Sequence, residues 1–268
     1  MQNDIRHTIP LWPHRRLIFQ MTRREVVGRY RGSVLGLLWS FFNPLLLLAV
    51  YTFVFSVIFK SRWNAGSDSK TEFAIVLFVG MIVFQVFSET VNRAPSLIIS
   101  NANYVKKVVF PLEVLPVVAL LVALFHAAVS FFVLLLAMIV LGFKVPLTVL
   151  FFPIVVLPFL LFTLGIGWFL ASLGVYIQDI GQSIGLVTTI LMFLTPVFYP
   201  ATSLPQQYQH IISLNPVAFV IEQSRNVVIW GTEPHWLGLS KMLLASAIVA
   251  VLGYQWFNRT RKGFADVL

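Results

Sequence analysis

From Val34 to Phe59 the chain runs for 26 residues without a charged side chain. In lipid only a helix or a closed barrel satisfies its own backbone, and as a helix this run reaches about 39 Å, enough to cross a hydrocarbon core of about 30 Å with some tilt. The segment therefore reads as a membrane span. Arg23, Arg24, Arg29 and Arg31 crowd its N-terminal end. A basic cuff of this kind stays on the cytoplasmic side during insertion, so the N-terminal segment is expected inside.

One span does not make a polytopic protein, but the balance of residues does. With 58% hydrophobic and 11% charged residues, too little polar surface exists to solvate a globular domain of 268 residues. The net charge of +9 raises nucleic acid as a partner. A nucleic-acid binder concentrates such charge on a soluble face, and no stretch here is long enough to build one. Basic flanks drawn to an anionic inner leaflet account for the charge, and membrane lipids are the expected partners. The chain has no cysteine, which excludes disulfides and thiolate metal sites.

The segment Met1 to Arg31 is polar and basic, without the apolar core of a cleavable signal peptide, and is expected to persist. Leu17, Ile18 and Met21 share a helical face while Phe19, Val26 and Tyr30 fall on another. The pattern predicts a helix lying in the inner interface, with a disordered basic tail as the alternative. After the first span, Lys60 to Glu72 forms a mixed-charge outer loop, and a second span returns inward from Phe73. It carries Glu89 and Arg93, four residues apart in the order that favours a helical ion pair; this close to the inner end, a structural pair with each other is the expectation.

The segment Asn101 to Pro116 follows inside and contains a helix-sized piece in which Lys106 and Lys107 stand among Val105, Val108, Val109 and Phe110 before Pro111. Val114 to Phe143 is the third span, with a lone His126 to which no chemistry is assigned, since no acidic residue lies near it in sequence. Val145 to Gln178, broken by Pro153 and Pro158, is a fourth and must be tilted, kinked or partly interfacial. A fifth is expected from about Ile180 to Val197. Beyond it, Ser203-Leu-Pro-Gln206 has a capping-box pattern and Asn215-Pro216 offers a cap followed by a first-turn proline. Two short helices are implied, the second running from Pro216 to about Ile229 and carrying Glu222 and Arg225, too short and too charged to span. A last span, about Trp236 to Phe257, leads to Arg259, Arg261 and Lys262. In this arrangement 13 Lys and Arg residues fall inside and six (Lys60, Arg62, Lys70, Lys144, Arg225, Lys241) outside, which puts both termini in the cytoplasm. The expected fold is all-α: one domain of six transmembrane helices, residues 1–268, with an N-terminal interfacial segment (1–31) and re-entrant or interfacial outer helices between spans five and six.

Catalytic and metal-binding patterns are missing. There is no Gly-x-x-x-x-Gly-Lys-Ser/Thr phosphate loop, no His-Glu-x-x-His and no close acidic pair. A membrane glycosyl or acyl transferase, the reading from another functional class, lacks its acidic cluster. Gly32-x-x-x-Gly36 and Gly181-x-x-x-Gly185 are spaced to let helices approach. Aromatics are abundant, and the first span holds two stripes: Trp39, Phe42 and Phe53 on one face, and Phe41, Tyr51, Phe55 and Phe59 roughly opposite. Such a stripe is either helix packing or a wall on which sugar rings slide by apolar contact.

Three stretches, Arg29-Tyr-Arg-Gly-Ser-Val-Leu-Gly-Leu-Leu-Trp-Ser-Phe-Phe-Asn-Pro44, Val105-Lys-Lys-Val-Val-Phe-Pro-Leu-Glu-Val-Leu-Pro116 and Leu214-Asn-Pro-Val-Ala-Phe-Val-Ile-Glu-Gln-Ser-Arg225, resemble in order the hallmark segments of the membrane subunit of ABC-type polysaccharide exporters. That family includes O-antigen, capsule and teichoic-acid export permeases. The resemblance implies a homodimer of six-span subunits in a bacterial cytoplasmic (inner) membrane, bound to two copies of a separate nucleotide-binding ATPase that holds ATP and magnesium. It implies no catalytic, metal or cofactor site in this chain, and a lipid-linked polysaccharide as substrate. It implies too that the inner segment, with Asn103, Tyr104, Lys106, Lys107 and Phe110, couples to the ATPase. The outer helices, with Asn215, Pro216, Glu222 and Arg225, would form an outer gate. Trp39, Phe42, Tyr51, Phe55, Phe193 and Tyr199 would line the channel. Export of a small amphipathic drug or lipid through a similar architecture is the alternative within transport.

Overall fold

The computed structural model describes residues 11–58, 63, 70–107 and 110–268, and among these it is helical with no strand. Helix α1 (Arg15–Arg29) is the expected N-terminal helix, which removes the disordered-tail alternative over that range. It buries Ile18, Met21 and Val26 against α5 (Val114–Val140) and leaves Phe19 exposed. The imperfect pattern in the sequence is thus a buried stripe that takes Ile18 and Met21 from one face and Val26 from the other, with Phe19 left outside. The chain then turns through Gly32, whose φ of +86° is open to glycine at no steric cost, and enters the first span.

That span, Gly36–Phe55, opens with a 3-10 turn, continues as α2 (Trp39–Tyr51) and widens to a π-helical stretch over Thr52–Ile58. Its predicted final residue, Phe59, lies outside the described residues, as do Val108 and Val109 of the inner segment. The second span, Thr71–Ser96, contains α3 (Lys70–Arg93) and is the hub: 78% of its apolar window is buried, against 17% for the first span. A helix apolar on every side belongs in the middle of a bundle, and Phe78, Val79, Ile82, Val83 and Phe87 fill the core there. The first span leans on the edge, with one face uncovered.

Helix α4 (Ala102–Lys107) is the short inner helix, followed after Pro111 by α5. The fourth span, Leu147–Tyr176, starts as a 3-10 turn before α6 (Phe152–Tyr176). Pro153 occupies the first turn of α6, where its missing N–H has no partner to lose, and Pro158 is accommodated inside the helix. The last span begins with α10 (Trp236–Thr260), and a C-terminal turn, α11 (Phe264–Val267), tucks Phe264 against Phe257 and Tyr176. Helices α6 and α10 cross with backbones in contact at Gly165 and Gly253.

The apolar helices differ in length. Among the described residues, five helices are long and apolar enough to cross a membrane. The segment expected as the fifth span is α7 (Ile180–Leu194), an apolar helix of 15 residues, or about 22 Å, which Thr195 ends in an extended conformation. Pro196 follows at once, and the residue before a proline is driven out of the helical region. The two outer helices are α8 (Gln206–Ser213) and α9 (Pro216–Arg225), the latter running on as a π-helical stretch to Trp230. The Asn215 side chain accepts from the Val217 N–H at 3.0 Å, the cap its sequence announces. Ser203 does not cap α8: it ends a 3-10 turn, and Pro205 sets the entry to the helix instead.

Candidate functional site

Polar residues of α1, α3 and α5 come together in a way the sequence hides. Glu89 and Arg93 do not pair with each other, as was expected, because each finds a partner on α1. Arg29 donates to Glu89 at 2.6 Å, and Arg93 pairs with Glu25. His126, four helices away in the chain order of contacts yet adjacent in space, places Nδ1 3.1 Å from the Arg29 guanidinium and 3.4 Å from the Glu89 carboxylate. Three ionisable groups from α1, α3 and α5 thus share one cluster. The Glu89 carboxylate is largely buried, and the half-exposed Arg29 guanidinium beside it offsets much of the penalty that carboxylate would suffer alone. His126 Nε2 is buried without a partner. Beside the cluster is a cavity of about 90 Å³ bordered by Tyr30, Asn43, Tyr51, Gln85 and Ser130. Burial pushes the Tyr30 phenol above its usual value, against the pull of Arg29 and with the added push of Glu89, so it remains a neutral hydroxyl at cellular pH.

Helix α1 also reaches the inner segment. Arg24 donates to the Tyr104 hydroxyl at 3.3 Å, and Tyr104 stacks on Phe110 with ring centroids 4.5 Å apart and planes within 11°. Asn103 is exposed. The side chains of Lys106 and Lys107 lie outside the description, but their backbone completes α4. A continuous path of contacts therefore leads from α4 through Tyr104 and α1 to the Arg29–Glu89–His126 cluster, and α1 is joined directly to the first span.

The two aromatic stripes of that span separate in the structure. Trp39, Phe42 and Phe53 are exposed. Tyr51 and Phe55 are half-buried and pack against the second span, with Phe55 5.1 Å from Phe73 between ring centroids. On α7 the exposed side chains Leu186, Val187, Ile190, Phe193 and Leu194 form a second uncovered apolar face. Tyr199 stands apart from that face: its hydroxyl donates to the Phe193 and Leu194 carbonyls at 3.1 and 3.3 Å, closing the last turn of α7. The six residues expected to line a channel do not share one surface of the chain.

The four outer-gate residues divide as well. Asn215 and Pro216 start α9, and Glu222 is exposed at a cleft of about 590 Å³ that it shares with Thr202, Gln206, Gln209 and Phe219. Arg225 turns the other way. It is buried, donates to the carbonyls of Val76, Pro196 and Val197 at 3.1, 2.7 and 2.8 Å, and lies 4.4 Å over the Trp63 ring. Gly80 leaves the room it needs, for a Cβ there would stand 2.7 Å from a guanidinium nitrogen. Carbonyl oxygens and an aromatic face thus take the place of a carboxylate, and Arg225 ties α9 to the second span and to the chain leaving α7.

Comparison with known proteins covers the same ground. The chain is 28% identical over 264 residues to the O-antigen export system permease protein RfbA of Myxococcus xanthus, spanning 98% of this chain and 99% of that protein. It is 26% identical over 253 residues to RfbA of Klebsiella pneumoniae, spanning 94% and 95%. It is also 27% identical over 244 residues to the polysialic acid transport protein KpsM of Escherichia coli, spanning 89% and 91%. Residues 16–229, from α1 through the outer helices, match the family described as ABC-2 type transporter, and the chain belongs to that family.

Proposed function

We propose that this chain is the permease subunit of an ATP-driven exporter that carries a lipid-linked polysaccharide outward across a bacterial cytoplasmic membrane. It works as a homodimer with two copies of a separate ATPase, and both termini are cytoplasmic. The likeness from end to end to permeases named for O-antigen and polysialic acid export carries the reading. The geometry supports it. One protomer leaves the aromatic face of the first span and the apolar face of α7 uncovered, the condition expected of surfaces that a second copy and a passing substrate would meet. A glycan must slide, and rings offer it contact without the directed hydrogen bonds that would hold it. ATP hydrolysis belongs to the partner, which closes against α4, and the path through Tyr104 and α1 passes that movement to the first span.

The test is reconstitution with the ATPase from the same cells in vesicles loaded with the cells' lipid-linked glycan. ATP-dependent appearance of glycan on the far side is expected. A chain that binds no ATPase, or that modifies the lipid in its absence, overturns the proposal. In the same assay the Lys106→Ala, Lys107→Ala, Phe110→Ala triple variant is expected to lower export by about five- to hundredfold, the range of ordinary coupling free energies, with insertion intact. Unchanged export would remove α4 from the mechanism. Alanine at Phe42, Trp39 and Phe193, the exposed rings, should slow export per folded complex more than alanine at Tyr51 and Phe55, whose loss should instead lower the melting temperature through lost packing against the second span. The reverse ranking would move the channel wall to the Tyr51 and Phe55 side.

A further inference from the structure

Between α6 and α10, which stay in contact from Gly165 and Gly253 to Ser172 and Thr260, a groove of about 410 Å³ lies on the outside of the bundle. Its walls are Gly165, Phe169, Leu252, Gly253 and Trp256, and Arg259 closes its lower end. The Phe169 and Trp256 rings stand 5.6 Å apart. From Val249 at the top to Arg259 at the foot the groove follows ten residues of helix, or about 15 Å, half of a hydrocarbon core of about 30 Å. Its depth is that of one leaflet.

The foot is basic and unneutralised. Arg261, two residues on, is held by Glu113 at 2.7 Å, whereas Arg259 is exposed and forms no ion pair among the described residues. Gln255 adds an amide about one turn above it, and Trp256 has the amphipathic ring that favours headgroup depth. An apolar slot one leaflet deep, with a free cation and a hydrogen-bonding amide at the polar end, has the polarity of a phospholipid. A sugar would meet no partner along the upper walls. A second copy of this chain docking here about a two-fold axis would bring Arg259 towards its own symmetry mate.

We propose that this groove holds one anionic phospholipid, its acyl chain along Gly253 and Leu252 and its phosphate on Arg259 and Gln255. The leaflet is the cytoplasmic one under the orientation proposed above; the site itself does not depend on export.

Native mass spectrometry of the chain released from nanodiscs tests it, with phosphatidylglycerol and phosphatidylcholine of identical acyl chains as probes. The wild-type chain is expected to retain one phosphatidylglycerol per copy in preference to phosphatidylcholine. Arg259→Gln should lower that preference about fivefold, the factor expected from one basic residue at an anionic surface. Leu252→Trp, at an exposed position that tolerates bulk, should reduce retention of both lipids by filling the slot. Equal retention of the two lipids by the wild-type chain, or an unchanged preference in Arg259→Gln, overturns the proposal. So does efficient disulfide cross-linking of Leu252→Cys between copies in native membranes, which would make this face a subunit interface; the chain has no other cysteine to confuse the result. Failure of export in reconstitution leaves these measurements untouched, so the two readings fail separately.

Discussion

Replacing Gly253 with leucine is expected to leave almost no folded protein in the membrane. A Cβ at Gly253 would stand 2.1 Å from the Gly165 carbonyl oxygen and 2.8 Å from its carbon. The opposing atoms are helix backbone, which cannot swing aside as a side-chain end does. The reciprocal change fares no better, since a Cβ at Gly165 would lie 2.6 Å from the Val249 carbonyl oxygen. Relief requires α6 and α10 to separate along their length, giving up the packing of Trp168 against Tyr254 and the Ser172 to Thr260 hydrogen bond. Overpacking in a close-packed core costs about 1–3 kcal/mol even where side chains can yield, and a forced helix separation exceeds that. Gly181→Ala is the control, because nothing lies within 4 Å of a Cβ there. Size-exclusion profiles of tagged chains in mild detergent should show a wild-type peak for Gly181→Ala and aggregate or nothing for Gly253→Leu. A symmetric Gly253→Leu peak at wild-type yield would mean the helices do not cross where described.

The same glycines show what a sequence can and cannot convey. Gly32 and Gly36, and Gly181 and Gly185, carry the spacing associated with close helix approach, yet no atom stands within 4 Å of a Cβ at any of them. The true contacts, Gly165 with Gly253 and Gly174 with Pro95, join residues far apart in sequence. No local spacing encodes which helix will face which. Features decided within a few residues were readable: the uncharged runs that became spans, the first-turn proline of α6, the Asn215 cap. Features decided by partners across the bundle were not. Glu89 and Arg93 have the spacing of a helical pair, but α1 presents Arg29 and Glu25 on the side they face. His126 looked isolated because its acid lies 37 residues away. The fifth span was drawn too long because hydropathy runs on smoothly through Leu194 to Val197, while the backbone leaves the helix at Thr195. The short helix α4 was legible as a helix-sized piece of the sequence, whereas the path linking it through Tyr104 and α1 to the first span was not.

Arg225→Ala is expected to be the most damaging single change among the outer residues. The family resemblance implies a residue of an outer gate; in the structure its side chain is buried and tied to three carbonyls. Removing the guanidinium strips the Pro196 and Val197 carbonyls, which lie outside any helix, of the donors they have at 2.7 and 2.8 Å. It also removes the cation over Trp63. At about 1–3 kcal/mol for each of the two buried acceptors left unsatisfied and about 2 kcal/mol for a desolvated cation–π contact, the loss should come to about 4–8 kcal/mol. Lysine keeps the charge but not the fork, and an ammonium cannot reach carbonyls on α3 and on the chain after α7 together, so Arg225→Lys should fall between. Gly80→Ala should act in the same direction and more weakly, since it displaces the Arg225 guanidinium without removing it. A merely structural loss would lower the melting temperature alone. A clamp that positions the outer helices should also alter their exposure, which a single cysteine at Gln206 or Thr202 reports through an impermeant thiol reagent, the natural chain having no cysteine of its own. Labelling from outside is expected in both backgrounds and faster with Arg225→Ala, with Arg225→Lys partly restoring the slow rate. Labelling from the cytoplasmic side alone would invert the proposed topology. Wild-type rates in the Arg225→Ala background, together with an unchanged melting temperature, would show that α9 is held without this residue.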